Sequence, residues 1–329
     1  MMAAIPMVEL WRGGMLESTH RGHAVICDAG GGIVETWGDP GAVIFPRSSC
    51  KMLQALPLLE SGAGAGLSQA QLALSCASHQ GAALHTRHVG RWLADLGMSE
   101  ADLRCGAHEP SDRAERDRLI RAYEPPCQIH NNCSGKHAGF LTLTRHLKAG
   151  PDYVEVDHPV QVAVKAAFEE VTGEVSPGYG IDGCSAPNFA TSVHGLARAM
   201  AFFAAADEGG DARNRAAFRL TRAMAAYPEL VAGEGRACTE LMRAMGGRVS
   251  IKTGAEAVFV AIIPERRMGI ALKIVDGGTR GAEAAICALL VRLRVLDPDH
   301  PAARKRLNPV QRNWRGFETG DIRLAAGFV

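Results

Sequence analysis

Strand patterns at the two ends of the chain, with helical patterns between them, most constrain the fold. Near the N-terminus, residues 23–27 and 33–37 are apolar runs joined by a glycine-rich turn, which predicts a β-hairpin. Far along the chain, residues 257–263 and 268–275 flank a short polar turn, and 248–252 looks like another strand. The sequence therefore predicts one antiparallel sheet built from both chain ends.

The middle of the chain has apolar residues at three- and four-residue spacings, which is typical of helices. The predicted helices are 51–60, 69–76, 84–96, 160–171, 216–226, 238–245 and, after the last strand, 281–293. The sequence predicts linkers at 62–66, 176–180 and 208–211. This pattern favours an α+β protein over a parallel doubly wound sheet. We predict a single catalytic unit, with a sheet subdomain from 1–45 and 246–329 and a helical subdomain at 46–245.

Composition excludes several classes of function. The 329 residues are 47% hydrophobic and 22% charged, with a net charge of +1, so nothing favours nucleic acid or an acidic membrane surface. No run of about eighteen apolar residues occurs, and the start of the chain lacks the pattern of a signal peptide. Nine scattered cysteines predict free thiols in the cytoplasm.

Lysine is unusually scarce in this sequence. Only seven of the 36 basic residues are lysines, and the others are arginines. Arginine cannot lose its proton in practice, whereas a buried lysine can become a neutral amine that acts as a base or binds a metal. Each lysine that the chain retains is therefore a candidate for chemistry that arginine cannot perform.

The first such lysine belongs to a Ser-x-x-Lys pattern, Ser48 and Lys51, placed where a loop becomes a helix. Residues three apart share a helix face, so the Lys51 amine can reach the Ser48 hydroxyl and act as its base. The helix N-terminus offers N–H groups suited to an oxyanion. The plain alternative is a serine that caps a helix, followed by a solvated lysine.

The second lysine, Lys252, begins a Lys-Thr-Gly string at 252–254, at the end of a predicted strand. An early Ser-x-x-Lys and a late Lys-Thr-Gly on an edge strand are the paired signature of serine β-lactamases and penicillin-binding proteins. The alternative is a strand that ends in an ordinary turn. Together the two motifs favour an active-serine protein with a β-lactamase/transpeptidase-like fold.

Three further stretches are rich in polar side chains within apolar surroundings: 74–81, which contains Ser78, and 130–137 and 181–187. Ser78 is a candidate for a second hydroxyl in the site, or else a serine that bonds its own helix end. Two cysteines with a histidine or a neutral lysine could hold zinc with water in an open position. Inert buried cysteines are the common alternative, because no C-x-x-C or H-x-x-x-H spacing occurs.

Taken together, the motifs resemble the rhizobial-type (class 3) L-asparaginases, and the resemblance runs in order through most of the chain. Its most specific piece is the six-residue string at 132–137. The matching strings are Arg12-Gly13-Gly14, Glu17-Ser18, His20-Arg21, Arg47-Ser48-x-x-Lys51, Ala77-Ser78-His79, Leu103-Arg104-Cys105-Gly106, Asn132-Cys133-Ser134-Gly135-Lys136-His137, Asp182-Gly183-Cys184, Val231-Ala232-Gly233-Glu234-Gly235-Arg236 and Lys252-x-Gly254-Ala255.

The resemblance implies a β-lactamase-like fold and a set of site residues. Two serine–lysine pairs are implied, Ser48 with Lys51 and Ser78 with Lys252. A zinc ion is implied, held by Cys133, Lys136 and Cys184 with a water molecule. Arg47 is expected to bind the substrate α-carboxylate. Asp182 is expected to receive the substrate α-amino group or to orient a metal ligand, with His79 and Asn132 also at the substrate site. The chain departs from the family pattern at Gln80-Gly81-Ala82, where that pattern has an acidic residue.

These observations predict a homodimeric L-asparaginase that converts L-asparagine to L-aspartate and ammonia through a serine acyl-enzyme. The nearest alternative is a glutaminase or another serine amidohydrolase of the same fold, because one methylene is worth only about 1–3 kcal/mol in a pocket. An alternative of another class is a non-catalytic protein that binds zinc or amino acids. The retained lysines argue against the second alternative, since binding alone could use arginine.

Overall fold

The secondary structure follows the predicted order, with strands mainly towards the chain ends, in a computed structural model that describes residues 3–329. The strands are β1 Ile5–Arg12, β2 Met15–Cys27, β3 Ile33–Trp37, β4 Val43–Ile44, β5 Tyr179–Ile181, β6 Pro187–Phe189, β7 Thr191–Ser192, β8 Ser250–Gly254, β9 Val258–Ile263, β10 Met268–Ile274, β11 Val310–Arg312 and β12 Glu318–Leu324. The helices are α1 Lys51–Gln54, α2 Leu56–Glu60, α3 Gln69–Ser75, α4 Ala83–Asp95, α5 Arg113–Ala122, α6 Ser134–Leu147, α7 Pro159–Thr172, α8 Val193–Ala205, α9 Ala212–Ala226, α10 Pro228–Val231, α11 Ala237–Ala244, α12 Thr279–Arg292 and α13 Pro301–Leu307. Short 3-10 helices lie at Arg47–Cys50, Glu100–Asp102, Gln128–His130 and Pro264–Arg266.

The chain divides into two compact units. The first, which we call the sheet unit, comprises the chain up to Ser49, Thr191–Ala205 and Glu240–Val329. The second, which we call the helical unit, comprises Cys50–Ala190 and Ala206–Thr239. Each unit has its own apolar interior, and we describe each by itself.

The sheet unit is built on an antiparallel sheet that, within residues 3–329, has eight strands in the order β11-β12-β1-β2-β10-β9-β8, with β3 paired to β2. The first strand pairs with the last, with Val8 opposite Leu324. This topology confirms the predicted antiparallel sheet formed by both chain ends. The C-terminal tail, where the mixed polarity of the sequence predicts no element, forms strand β12 between β1 and β11. Ile322 is the only buried residue of β12.

Both predicted hairpins are confirmed. Strand β2 pairs with β3, and β9 pairs with β10. The predicted strand at 248–252 begins two residues later, as β8. Helix α8, which the sequence patterns did not predict, lies against β10 so closely that a methyl group on Gly269 would be 2.1 Å from the Ala201 amide nitrogen.

The helical unit is organised around α6, whose side chains are buried from Ser134 to Thr144. A methyl group on Gly135 would be 2.5 Å from the carbonyl oxygen of Leu74, so α3 and α6 are in close contact there. The predicted helix at 51–60 is divided at Ala55 into α1 and α2, because Pro57 has no N–H to continue the hydrogen-bond ladder. Across residues 3–329, every helix is too short or too polar to cross a membrane.

A buried ion-pair network stabilises the C-terminal part of the sheet unit. The Arg306 side chain is only 4% exposed and donates hydrogen bonds to Glu240 at 2.6 Å and to Glu283 at 3.3 Å. Lys305 also donates to Glu240, at 2.8 Å. Removing one carboxylate leaves a buried guanidinium without one of its two carboxylate partners, which is more costly than losing a surface pair.

We therefore expect Glu240→Gln to lower the free energy of unfolding by about 2 kcal/mol. Glu318→Gln is the matched control, because its pair with Arg312 is more than half exposed on both sides and should cost less than about 0.5 kcal/mol. Urea unfolding of the three proteins measures both values. Equal costs for the two variants would contradict a special role for Glu240.

The same network predicts a pH dependence. Burial opposes ionisation of Glu240, but its hydrogen bonds with Lys305 and Arg306 outweigh burial and lower its pKa. A carboxyl whose pKa is lower in the folded protein stabilises the fold above its unfolded pKa and loses that stabilisation as the pH falls through the folded value. The stability difference between the wild type and Glu240→Gln should therefore shrink as the pH falls below the ordinary glutamate range.

Candidate active site

The segment that carries Ser48 is a 3-10 helix, Arg47–Cys50, that runs directly into α1. Arg47 has φ +54°, a left-handed backbone conformation that is uncommon for a residue with a side chain and that occurs often at functional sites. The adjacent Ser49 is fully buried and donates its hydroxyl to the Pro46 carbonyl at 2.7 Å. Ser49 therefore holds the turn together, which leaves Ser48 as the candidate for chemistry.

The end of strand β8 lies against this segment within the sheet unit. A methyl group on Gly254 would be 2.5 Å from the Pro46 oxygen and 3.1 Å from the Ser49 amide nitrogen, so only glycine fits. Lys252, in the same strand, is fully buried, and its amine donates to the Thr253 carbonyl at 2.8 Å. Strand β8 stands at the edge of the sheet, as the sequence predicted for the Lys-Thr-Gly string. The structure thus brings the Ser48 segment and the Lys252 strand together.

Lys51 belongs to the helical unit, where its side chain is only 1% exposed. Its amine donates a hydrogen bond of 2.6 Å to the Ala77 carbonyl and one of 3.0 Å to the sulfur of Cys133. Lys51 therefore connects the loop that carries Ser78 with the cysteine at the start of α6. The sequence did not predict that second contact, because the two residues are 82 positions apart.

Ser78 lies in the loop that follows α3 and is 9% exposed. The loop is held by backbone hydrogen bonds: the Ser78 amide donates to the Val231 carbonyl at 2.9 Å and the His79 amide to the Asn132 carbonyl at 3.1 Å. The His79 ring is engaged inside the helical unit as well. Its Nδ1 accepts from the Gly81 amide at 3.1 Å, so its Nε2 carries the proton and donates to the Ser134 hydroxyl at 3.0 Å. This bonding positions the loop beside the start of α6.

The three predicted zinc ligands lie together in the helical unit. Cys133 precedes α6, Lys136 is in the first turn of α6, and Cys184 is in the turn of the β5–β6 hairpin. All three are buried, and the Lys136 amine is 3.2 Å from the Cys184 sulfur. Asn132 accepts a hydrogen bond from the Cys133 thiol at 3.0 Å. Residues from two elements distant in sequence thus form one cluster.

The charges of this cluster support one another. Hydrogen bonding with Cys133 and the positive charge of Lys136 hold the pKa of Cys184 well below its usual range. Hydrogen bonding with Cys184 and burial raise the pKa of Cys133. Burial disfavours the charged amine of Lys136, but the charges of Cys184 and Cys133 outweigh burial and raise its pKa. The shifts of Cys184 and Lys136 both favour the charged form of the side chain.

The donor set fits a zinc ion. Two cysteine sulfurs and a nitrogen donor are typical of zinc sites, and a fourth position can be left for water or substrate. Among residues 3–329, no group of three or more histidine, cysteine, aspartate or glutamate side chains is arranged to hold a metal. The cluster differs from such groups because its third donor is a lysine, which must lose its proton when a metal binds.

The remaining predicted residues are placed as follows. Asp182 is half-buried at the start of the hairpin turn, where its carboxylate accepts the Gly183 amide at 2.9 Å. Arg47 is half-buried in the sheet unit. Ser48 and Lys252 belong to the sheet unit, whereas Lys51 and Ser78 belong to the helical unit. The pairing of Ser48 with Lys51 and of Ser78 with Lys252 therefore stays a prediction.

Sequence reasoning did not assign a role to His137 or Tyr153. Both side chains are fully buried, and the His137 Nδ1 atom lies 2.9 Å from the Tyr153 hydroxyl. The sequence signal that could have pointed to His137 is the six-residue string at 132–137, which ends at this histidine. No pattern pointed to Tyr153, which approaches from a turn before α7.

Comparison with known proteins assigns the chain to a family. Residues 8–324 match L-asparaginase II, so the chain belongs to the L-asparaginase II family. No curated protein sequence matches the chain.

Several solved structures are loosely similar. Mglu in its glutamate form has a TM-score of 0.48 and 14% identity, over 89% of this chain and 65% of that one, so this chain spans less than two thirds of the length of Mglu. An octameric penicillin-binding protein homologue from Pyrococcus abyssi has a TM-score of 0.39 and 12% identity, over 90% and 80% of the two chains. A β-lactamase from Mycobacterium bovis has a TM-score of 0.35 and 12% identity, over 84% and 95%.

Proposed function

We propose that this protein is an L-asparaginase that hydrolyses the side-chain amide of L-asparagine through an acyl-enzyme on Ser48. Membership of the L-asparaginase II family supports the reaction class. The observation that carries the choice of nucleophile is the packing of Gly254, in the strand of Lys252, against the segment that holds Ser48. That packing holds the Ser48 segment against strand β8, and the hydroxyl of the adjacent Ser49 is already bonded to the Pro46 carbonyl.

In the proposed mechanism, Lys51 in its neutral form takes the Ser48 proton, and the Ser48 oxygen attacks the amide carbon of the substrate. Backbone N–H groups hold the oxyanion. The amide nitrogen takes up a proton and leaves as ammonia when its bond to the carbon breaks. Water then attacks the acyl-enzyme, which releases aspartate and returns the proton to Ser48. Ser78 and Lys252 would pass the proton to the leaving nitrogen, or Ser78 would itself be the nucleophile.

Recognition of the substrate would use its two charged groups. A guanidinium binds a carboxylate through two parallel hydrogen bonds, which suits Arg47 to the α-carboxylate. The Asp182 carboxylate is suited to the α-amino group, and it lies beside Cys184 in the hairpin turn. A bound zinc ion held by Cys133, Lys136 and Cys184 would supply a positive centre that orients the substrate rather than an activated water.

The test of the proposal is ammonia release by the purified protein from L-asparagine, with L-glutamine in parallel. We expect release from asparagine, and a smaller specificity constant for glutamine by a factor of roughly 10–200, the value of one methylene in a pocket. A faster reaction with glutamine would make the protein a glutaminase. Absence of release from both amides, in folded zinc-loaded protein, would contradict the proposed function.

The zinc proposal has its own test. Cys184→Ser replaces one of the two sulfur donors, and we expect it to weaken zinc binding by more than roughly 100-fold, because even outer-shell changes cost 10–100-fold. Cys287→Ser is the matched control, since Cys287 is equally buried but lies in α12 of the sheet unit. Competition with a chromogenic chelator measures both affinities. Equal zinc affinities in the two variants would mean that Cys184 is not a zinc ligand.

A further inference from the structure

The turn between β8 and β9 has an unfavourable backbone conformation. Glu256 and Ala257, two consecutive residues of this turn, have φ of +56° and +57°. The left-handed region is disfavoured for residues with a side chain, because Cβ crowds the following carbonyl oxygen, and glycine or asparagine is the usual choice there. Such strain persists only where the surrounding contacts impose it, and it occurs often at functional sites. In this turn the contacts come from β10.

Two consecutive residues of β10 bond these two turn residues. The Lys273 amine donates a hydrogen bond to the Glu256 carbonyl, and the Ile274 amide donates one of 3.1 Å to the Ala257 carbonyl. A hydrogen bond from a charged donor is stronger than one between neutral groups. The Glu256 side chain is exposed, so its packing does not impose the backbone conformation. The amine of Lys273 therefore holds the Glu256 carbonyl in place.

The strand that leads into this turn ends at Gly254, the glycine that packs against the Ser48 segment. Gly254 lies opposite Val258, and Val258 lies opposite Lys273, so the three residues form one row across β8, β9 and β10. Residues that lie opposite one another in an antiparallel pair place their side chains on the same face of the sheet. A methyl group on Gly254 would meet the backbone of the Ser48 segment. Lys273 therefore extends from the face of the sheet that carries this segment.

We propose that Lys273 is a positioning residue, whose amine holds the β8–β9 turn in its left-handed conformation and so keeps the end of β8 against the Ser48 segment. This inference rests on the proposed function, in which Ser48 is the nucleophile, and deepens it. Without the amine, the peptide of Glu256 turns to a more favourable conformation, and the end of β8 is less firmly placed. Lys273 contacts neither the substrate nor a reacting atom in this scheme, so its loss affects the rate of the reaction rather than substrate binding.

The first experiment follows the turn itself and needs no substrate. Amide hydrogen exchange reports how often the bond between the Ile274 amide and the Ala257 carbonyl opens. We expect Lys273→Met to raise the exchange rate of this amide by roughly 10-fold, because a charge-assisted hydrogen bond is lost from the same turn. Lys165→Met is the matched control, since Lys165 is half-exposed in α7 and its loss should leave the rate unchanged. An unchanged rate in Lys273→Met would overturn the inference.

The second experiment relaxes the strained turn with Glu256→Gly, because glycine adopts the left-handed conformation without strain. Removing the strain should compensate for losing the amine, so we expect the double variant Lys273→Met/Glu256→Gly to exchange the Ile274 amide within about 3-fold of the wild-type rate. Arg267→Gly is the control: Arg267 is exposed, has φ +52° and lies in the turn at the other end of β9. Failure of Glu256→Gly to compensate, or equal compensation by Arg267→Gly, would contradict the proposal.

The third experiment, steady-state kinetics with L-asparagine, connects the turn to the site. We expect Lys273→Met to lower kcat by roughly 10-fold with KM nearly unchanged, because displaced reacting groups slow the reaction while the groups that bind substrate remain. Glu256→Gly should restore kcat in the same protein. A higher KM with an unchanged kcat would overturn the positioning role and mean that the amine binds substrate. If the wild type releases no ammonia, the proposed function fails, and the exchange rates still decide whether Lys273 holds the turn.

Discussion

Replacing Ser48 by alanine is expected to reduce ammonia release from L-asparagine by a factor on the order of 10³ or more. The reason is that alanine removes the oxygen that would form the acyl-enzyme, and removing a nucleophile typically removes most of the catalysis that depends on it. Ser48 lies in a turn held by Ser49 and Gly254, so the substitution should leave the fold intact. Steady-state kinetics and thermal unfolding of the same preparation measure both effects.

Two other serines provide the controls for this prediction. Ser49→Ala loses the hydrogen bond to Pro46 and should cost about 1 kcal/mol of stability while keeping the nucleophile, so its activity should fall far less. Ser78→Ala should reduce turnover without preventing the acyl-enzyme if Ser78 only passes protons. Full activity in Ser48→Ala combined with loss in Ser78→Ala would assign the nucleophile to Ser78. Tight binding of asparagine without turnover in the wild type would instead favour a binding protein.

Much of the sheet unit could be predicted because the paired strands of its hairpins are close together in the sequence. The hairpins β2–β3 and β9–β10 are apolar runs separated by short turns, and the pairing follows from that pattern. Strand β12 and helix α8 could not be predicted in this way. The side chains of β12 are mostly partly exposed, whereas most side chains of α8 are buried. Both are defined by the neighbours they contact rather than by their own sequence.

The candidate site was predicted by the chemistry of its residues and not by their contacts. The scarcity of lysine made all seven lysines candidates, and the motifs and the family resemblance singled out Lys51, Lys136 and Lys252, which are 1%, 3% and 0% exposed. The other four lysines are exposed or partly exposed. Burying three amines is costly unless each has partners, and each has at least one. Contacts across long separations, such as Lys51 with Cys133 or His137 with Tyr153, leave no trace in a single sequence.

Gly254→Ala should separate the geometry of the site from its chemistry, because it changes no reactive group. Its methyl group would be 2.5 Å from the Pro46 oxygen and 3.1 Å from the Ser49 nitrogen, and both are backbone atoms that cannot turn away. The strand and the turn must therefore move apart by a fraction of an ångström to about 1 Å. A displacement of that size at reacting groups costs about 100-fold, so we expect kcat/KM to fall by about that factor.

The matched control for this variant is Gly41→Ala, in the same unit. A methyl group on Gly41 would meet only the Asp39 carboxylate, at an ordinary contact distance of 3.5 Å, so activity should be unchanged. Circular dichroism and thermal unfolding would establish that Gly254→Ala is folded. Because the added methyl group crowds the backbone, we expect the variant to retain its structure but to unfold at a lower temperature. Normal activity in folded Gly254→Ala would mean that the Ser48 turn tolerates displacement, and the nucleophile would then have to be sought at Ser78, in the helical unit.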